Sequence, residues 1–180
     1  LAVVPFVFPG SQPINVAAKI LYFIVLAASY DLLLGYTGIV SFAHTMFFGI
    51  GGYGAALALA RLGPSWLSLL AGTLAALVVA AVLALLIGLL SLRVRAIFFA
   101  MITLAIASAF AILASQFSAV TGGEDGVIFS VPALLSPFHR LVEAKVLGVA
   151  VNGRLLAYYL VFAASGLLFL AMRRIVTSPF

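Results

Sequence analysis

Two stretches of this chain run without a charged side chain for longer than a bilayer is thick: the one between Arg61 and Arg93, and the one between Arg95 and Glu124. A helix needs about 20 predominantly apolar residues to cross the hydrocarbon core, so several membrane-spanning helices are required. Composition agrees: 66% of residues are hydrophobic and 7% charged, where a soluble domain carries roughly a quarter charged residues. The expected fold is all-α, a polytopic bundle of about five full spans plus a truncated first one.

Breakers and lengths divide the chain. Leu1 to Phe8 reads as the tail of a span, closed by Pro9-Gly10-Ser11-Gln12-Pro13, where two prolines forbid a continuing helix. Full spans are expected from about Ile14 to Leu34, Met46 to Ala60, Trp66 to Leu92, Ala96 to Phe117 and Leu155 to Met172, with Leu62-Gly63-Pro64-Ser65 as one turn. The chain is read as a single transmembrane domain, 1–180, and as a piece of a longer one: it opens on Leu1 and closes on Ser178-Pro179-Phe180. No signal peptide is recognisable.

The net charge of +5 does not indicate nucleic acid, because the nine basic residues stand singly or in pairs at the ends of apolar runs, as interfacial anchors do. Arg93, Arg95, Arg173 and Arg174 fall on one side. Lys19, Arg61, Arg140, Lys145 and Arg154 fall on the other. The first set is the denser, so its side is assigned to the cytoplasm, which places the 118–153 connection, with Glu124, Asp125, Arg140, Glu143 and Lys145, outside.

The segment Leu33 to His44 interrupts the apolar pattern with Gly35, Gly38, Tyr36, Thr37, Ser41 and His44. Two readings stand side by side. Glycines at 35 and 38 either break a helix at membrane depth, beside protein or water, or form a short turn between two spans. Asp31 lies one turn earlier, where an ionisable group either faces headgroups or belongs to a pathway. As polar groups in apolar surroundings, Tyr36, Ser41, His44 and Thr103 are the candidates for a translocation pathway.

Other chemistry is weak. Asp31, Ser41 and His44 contain the residue types of a hydrolytic triad, but no nucleophile elbow or oxyanion hole accompanies them. Gly49-Ile50-Gly51-Gly52-Tyr53-Gly54 fits G-x-G-x-x-G without the preceding strand or later acidic residue of a dinucleotide site. Two histidines, His44 and His139, and no cysteine make a poor metal set. No catalytic, cofactor or metal site is expected, and no P-loop for ATP occurs.

Small residues at four-residue spacing point to helix packing. Gly51 with Ala55, Gly52 with Ala56, the stripe Gly72, Ala76, Ala80, Ala84 and Gly88, and the stripe Thr103, Ala107, Ala111 and Ser115 are the candidates. In the connection, Thr121-Gly122-Gly123-Glu124-Asp125-Gly126 suits a tight turn with exposed carboxylates.

Taken together, several segments resemble one family. Leu32-Leu33-Leu34-Gly35-Tyr36-Thr37-Gly38-Ile39-Val40-Ser41-Phe42-Ala43-His44 with Phe47 to Tyr53, Leu92 to Ala105, Thr121 to Gly126, and Arg173 to Phe180 are similar, in order and spacing, to signatures of the LivM-type permeases of bacterial branched-chain amino acid importers driven by ATP. The resemblance implies a multi-pass inner-membrane permease subunit for leucine, isoleucine and valine. Its partners would be a second permease subunit, two cytoplasmic ATPases that hold the ATP, and a periplasmic substrate-binding protein. Permeases for urea or short amides are closely similar, and a partner-free secondary transporter is the alternative from another class. This chain departs from the family pattern at Asp31, where Asn is frequent, and stops where the coupling segment should begin.

Overall fold

The computed structural model describes residues 3–7, 10–91, 94–136, 140–146 and 149–178. Arg93, His139, Pro179 and Phe180, together with Leu1, Phe8, Pro9 and Leu92, lie outside the described residues. In chain order the elements are α1 (Val4–Val7), α2 (Ser11–Thr37), α3 (His44–Leu62), α4 (Trp66–Ser91), α5 (Ala96–Gln116), α6 (Ser118–Thr121), two single 3-10 turns (Gly123–Asp125 and Ala133–Leu135), strands β1 (Arg140–Val146) and β2 (Val149–Asn152), and α7 (Gly153–Thr177).

Five of these helices, α2, α3, α4, α5 and α7, are long and apolar enough to cross a membrane. The all-α polytopic class expected from the sequence holds. Thickness of the bilayer sets only a lower bound on helix length, so α2 and α7 continue past the ends expected for them until a breaker stops them: Gly38 after α2, Ser178 after α7. The 118–153 connection adds one element that the sequence reading lacked, a two-stranded antiparallel hairpin pairing Arg140 with Asn152, Lys145 with Ala150 and Val146 with Val149. Arg140, Glu143 and Lys145 are positions on its first strand.

The chain divides into two compact units, Leu1–Leu32 with Pro132–Phe180, and Leu33–Val131. In the first, Ile14, Ala17 and Leu21 of α2 are buried against Tyr158 of α7, flanked by Ala18, Tyr159 and Phe162. Tyr158 is 2% exposed. The packing face of α2 therefore repeats at three- and four-residue spacing, as an interhelical seam must.

The second unit is built on the crossing of α3 and α4. At Gly63, with φ +90°, the chain turns sharply. Ser65 then accepts the Ser68 N–H at 3.0 Å, and the Ser68 hydroxyl reaches the Leu62 carbonyl at 3.4 Å, so the free polar groups at both helix ends find partners. The helices touch at Gly54 and Gly72. A Cβ built on Gly54 would stand 2.5 Å from the Ala76 Cβ, and one on Gly72 would stand 2.5 Å from the Ala58 Cβ. No side chain fits that gap, so backbone meets backbone. In lipid, where the tails are as apolar as leucine, such close approach is what holds helices together.

This moves the proposed contact. Gly51 and Gly52 have nothing within 4 Å of a built Cβ, so among the described residues they approach no neighbouring helix. The stripe on α4 is likewise used only in part. Ala76 is buried and Ala80 partly so, whereas Ala84 is exposed and Gly88 has open space; Leu83 and Ile87 take over the contact. The reason is geometric. At about 100° per residue, a strict four-residue repeat drifts by about 40° per step and leaves its neighbour after three steps.

Among the described residues, no candidate spanning helix has more than 17% of its apolar window buried, and most of the side-chain surface of α4, such as Leu67, Leu77 and Leu85, is left uncovered by its own unit.

Replacing Gly72 with leucine is expected to abolish recovery of folded protein from detergent extracts, because α3 and α4 cannot touch. The Gly51→Leu chain is expected to be recovered at normal yield. Equal loss in both variants would count against the crossing described above.

Candidate functional site

The interruption expected between Leu33 and His44 is a short non-helical link between α2 and α3. Gly35 lies inside α2 and does not break it; the break comes at Gly38, which has φ +67°. The Gly38 N–H bonds the Leu34 carbonyl at 3.0 Å, closing the helix with a left-handed residue. Thr37 adds to this closure: its hydroxyl donates to the Leu33 carbonyl at 2.6 Å and accepts the Ile39 N–H at 3.3 Å.

Beyond Gly38 the chain needs other partners, and α5 supplies one. The backbone N–H of Phe42 donates to the Thr103 hydroxyl oxygen at 3.2 Å, and that hydroxyl donates its proton to the Ala100 carbonyl at 3.0 Å. Thr103 is fully buried, Ser41 is 5% exposed, and Ala43 is 0% exposed. The link is thus tied to the first turns of α5, and α3 starts directly from it, with the Phe47 N–H on the Ala43 carbonyl at 3.1 Å.

Three of the four pathway candidates meet here. Ser41 and Phe42 are neighbours, Thr103 holds Phe42, and His44 is the first residue of α3 and half-buried. Tyr36 is different, being 67% exposed on the last turn of α2. The bond from Phe42 was invisible to sequence reasoning, because a backbone donor has no residue signature and its acceptor lies on another helix. Thr103 was marked for polarity alone; its hydroxyl is engaged on both sides, which is the geometry of an anchor.

The second unit also holds an apolar pocket of about 500 Å³, lined by α3 through Ile50, Tyr53 and Leu57, by α4 through Val79 and by α5 through Phe110 and Phe117. None of the four pathway candidates lines it. Past α5, the Thr121 hydroxyl lies within bonding distance of the Ala114 and Phe117 carbonyls, at 2.5 and 2.8 Å, and accepts the Gly123 N–H. The turn that follows leaves Glu124 and Asp125 exposed.

Replacing Thr103 with valine leaves the part-buried Phe42 N–H without its acceptor, a loss of about 1 kcal/mol. Thermal unfolding of the purified protein is expected to fall clearly for Thr103→Val and little for Thr103→Ser. Gly38→Ala should cost about 1–2 kcal/mol, since an L side chain resists the left-handed conformation. A valine variant as stable as the parent would show that the link does not depend on this bond.

A family model described as the permease component of branched-chain amino acid transport systems matches residues 12–177, from the start of α2 to the end of α7. No curated protein and no solved structure matches the chain.

Proposed function

The chain belongs to the family of branched-chain amino acid transport permease components, and from that membership we propose that it is one of the two permease subunits of an ATP-driven importer for leucine, isoleucine and valine. The observation that carries this reading is the extent of the match, which takes in all five membrane-capable helices and the link at 38–43. A multi-pass membrane protein of this family works with other subunits. The proposed set is a second permease, two cytoplasmic ATPases that bind and hydrolyse ATP, and a periplasmic binding protein that delivers the amino acid at a bacterial inner membrane.

The architecture supports this reading physically. Little of each helix is buried within the chain, which suits a subunit whose remaining faces meet lipid and a partner. A rocking permease needs rigid levers joined by defined links, and the α2–α3 link is held at both ends, by Gly38 and Thr37 on α2 and by Thr103 on α5. Thr103 then acts as a positioning residue for the start of α3. Ser41, His44 and Tyr36 are the proposed polar contacts of the pathway, with His44 carried on the lever that the link sets.

Uptake of radiolabelled leucine by cells that express the whole transporter, compared with cells lacking this gene, tests the assignment. ATP-dependent uptake of leucine, isoleucine and valine is the expected result. Uptake of urea or short amides instead would transfer the chain to that substrate class, and uptake that follows an ion gradient without ATP would replace the importer with a secondary transporter. Within a working importer, His44→Ala is expected to lower uptake several-fold while the protein still reaches the membrane; unchanged uptake would return His44 to packing.

A further inference from the structure

Turned at about 100° per residue, α2 presents three faces of different chemistry over its membrane-crossing length. Its packing face is Ile14, Ala17 and Leu21, buried against α7. An exposed face carries Val16, Ile20 and Ile24 and, about two turns beyond Ile24, Asp31. Between them, within a sector of about 100°, lie Ser11, Gln12, Asn15, Lys19, Tyr22, Ser29, Tyr30 and Thr37, with only leucines at the remaining positions, 26 and 33. Gln12, Asn15 and Lys19 are exposed, and Lys19 has no ion pair among the described residues.

Depth makes this face informative. At 1.5 Å rise per residue α2 is about 40 Å long, against a hydrocarbon core of about 30 Å, so in a centred helix Lys19 lies roughly 7 Å inside the hydrocarbon boundary. A cation there is costly in lipid, and intramembrane ionisable groups face a protein interior or water. A lysine that merely reached back to the headgroups would need no polar company further in. Here the same sector continues past Lys19 through Tyr22, in ring contact with Phe23, to Ser29, whose hydroxyl donates to the Leu26 carbonyl, and Tyr30.

We propose that this face of α2 lines the aqueous route through the transporter and that the Lys19 ammonium receives the carboxylate of the transported amino acid, with Asn15 as the neighbouring hydrogen-bonding group one turn away. The carboxylate half of the statement rests on the importer reading given above; the water-lined face does not. The chemistry that Lys19 recognises is an anionic oxygen, which a lipid phosphate also offers, and the test separates the two.

The chain has no cysteine, so single-cysteine variants report one position each. In membranes containing the complete transporter, cysteines at Asn15 and Lys19 are expected to react with a charged, membrane-impermeant methanethiosulfonate at least tenfold faster than cysteines at Ile20 and Ile24, and leucine should slow the reaction at position 15, where Lys19 is still present. Lys19→Met should raise the KM for leucine uptake roughly tenfold or more, the size expected for loss of a charge-assisted hydrogen bond, with normal recovery of the complex, while Lys19→Arg stays near the parent. Equal rates on the two faces, or no reaction at 15 and 19, would overturn the water-lined face and leave a helix contact. Face-selective labelling with an unchanged KM in Lys19→Met would overturn the carboxylate assignment and give Lys19 to the lipid phosphate. A parent strain that takes up no leucine would sink the importer reading and the carboxylate with it, and the labelling contrast would still decide the water-lined face.

Discussion

A backbone inside hydrocarbon must satisfy its own N–H and C=O groups, and each feature of this chain follows from how it does so. Along the five long helices the bonds are internal and nothing else is required. The demand becomes visible where helices stop. At the α2 end, Gly38 and Thr37 provide the missing partners; at the α3–α4 turn, Ser65 and Ser68 do; after α5, Thr121 does. Phe42 is the place where no local group serves, and the partner comes from a different helix. That single bond is why residues far apart in sequence belong to one site.

Lipid also removes the force that would pack these helices in water, which leaves contact distance as the variable under selection. Gly54 and Gly72 let α3 and α4 meet backbone to backbone, and Ala43, Met46, Ile50, Ala76, Ile87 and Phe99 fill in around that contact. The other unit solves the same problem differently, by burying one large side chain, Tyr158, in a groove of small and branched residues on α2. A side chain that large secures a single register between two helices. Small residues permit closeness but specify position less sharply.

Sequence reasoning reached the helices because their signal is one-dimensional: length without charge is a property of consecutive residues, and the runs from Arg61 to Arg93 and from Arg95 to Glu124 display it. It failed where the answer was angular or lay between chain segments. Gly51 and Gly54 are equally small and three residues apart, yet only Gly54 lies at the crossing, because the direction in which a helix meets its neighbour is not written in either residue. Gly35 and Gly38 are equally permissive, yet only Gly38 has positive φ, since Thr37 and Leu34 close the helix around it. The hairpin at 140–152 did leave a trace: Val142, Ala144 and Val146 alternate with Glu143 and Lys145, a period of two that a search for helical spans passes over.

Scarcity of polar groups gives those that remain their meaning. In a soluble helix Gln12, Asn15 and Lys19 would be ordinary surface residues. On α2 they share a helix with a face packed on α7 and a face of exposed Val16, Ile20 and Ile24, and they keep to neither. Between Val16 and Ile24 the neighbouring face holds no polar residue; Asp31 is the first to fall on it, towards the opposite end of the helix. Segregation of that kind has a physical cost in lipid that falls only if the polar face meets water or another polar surface. The link anchored by Thr103 uses its own polar groups differently: it buries Ser41 and engages the Phe42 N–H. The two sets of polar residues therefore differ in kind: one holds the broken backbone together, and the other lies on a helix face that requires water or a polar surface beside it.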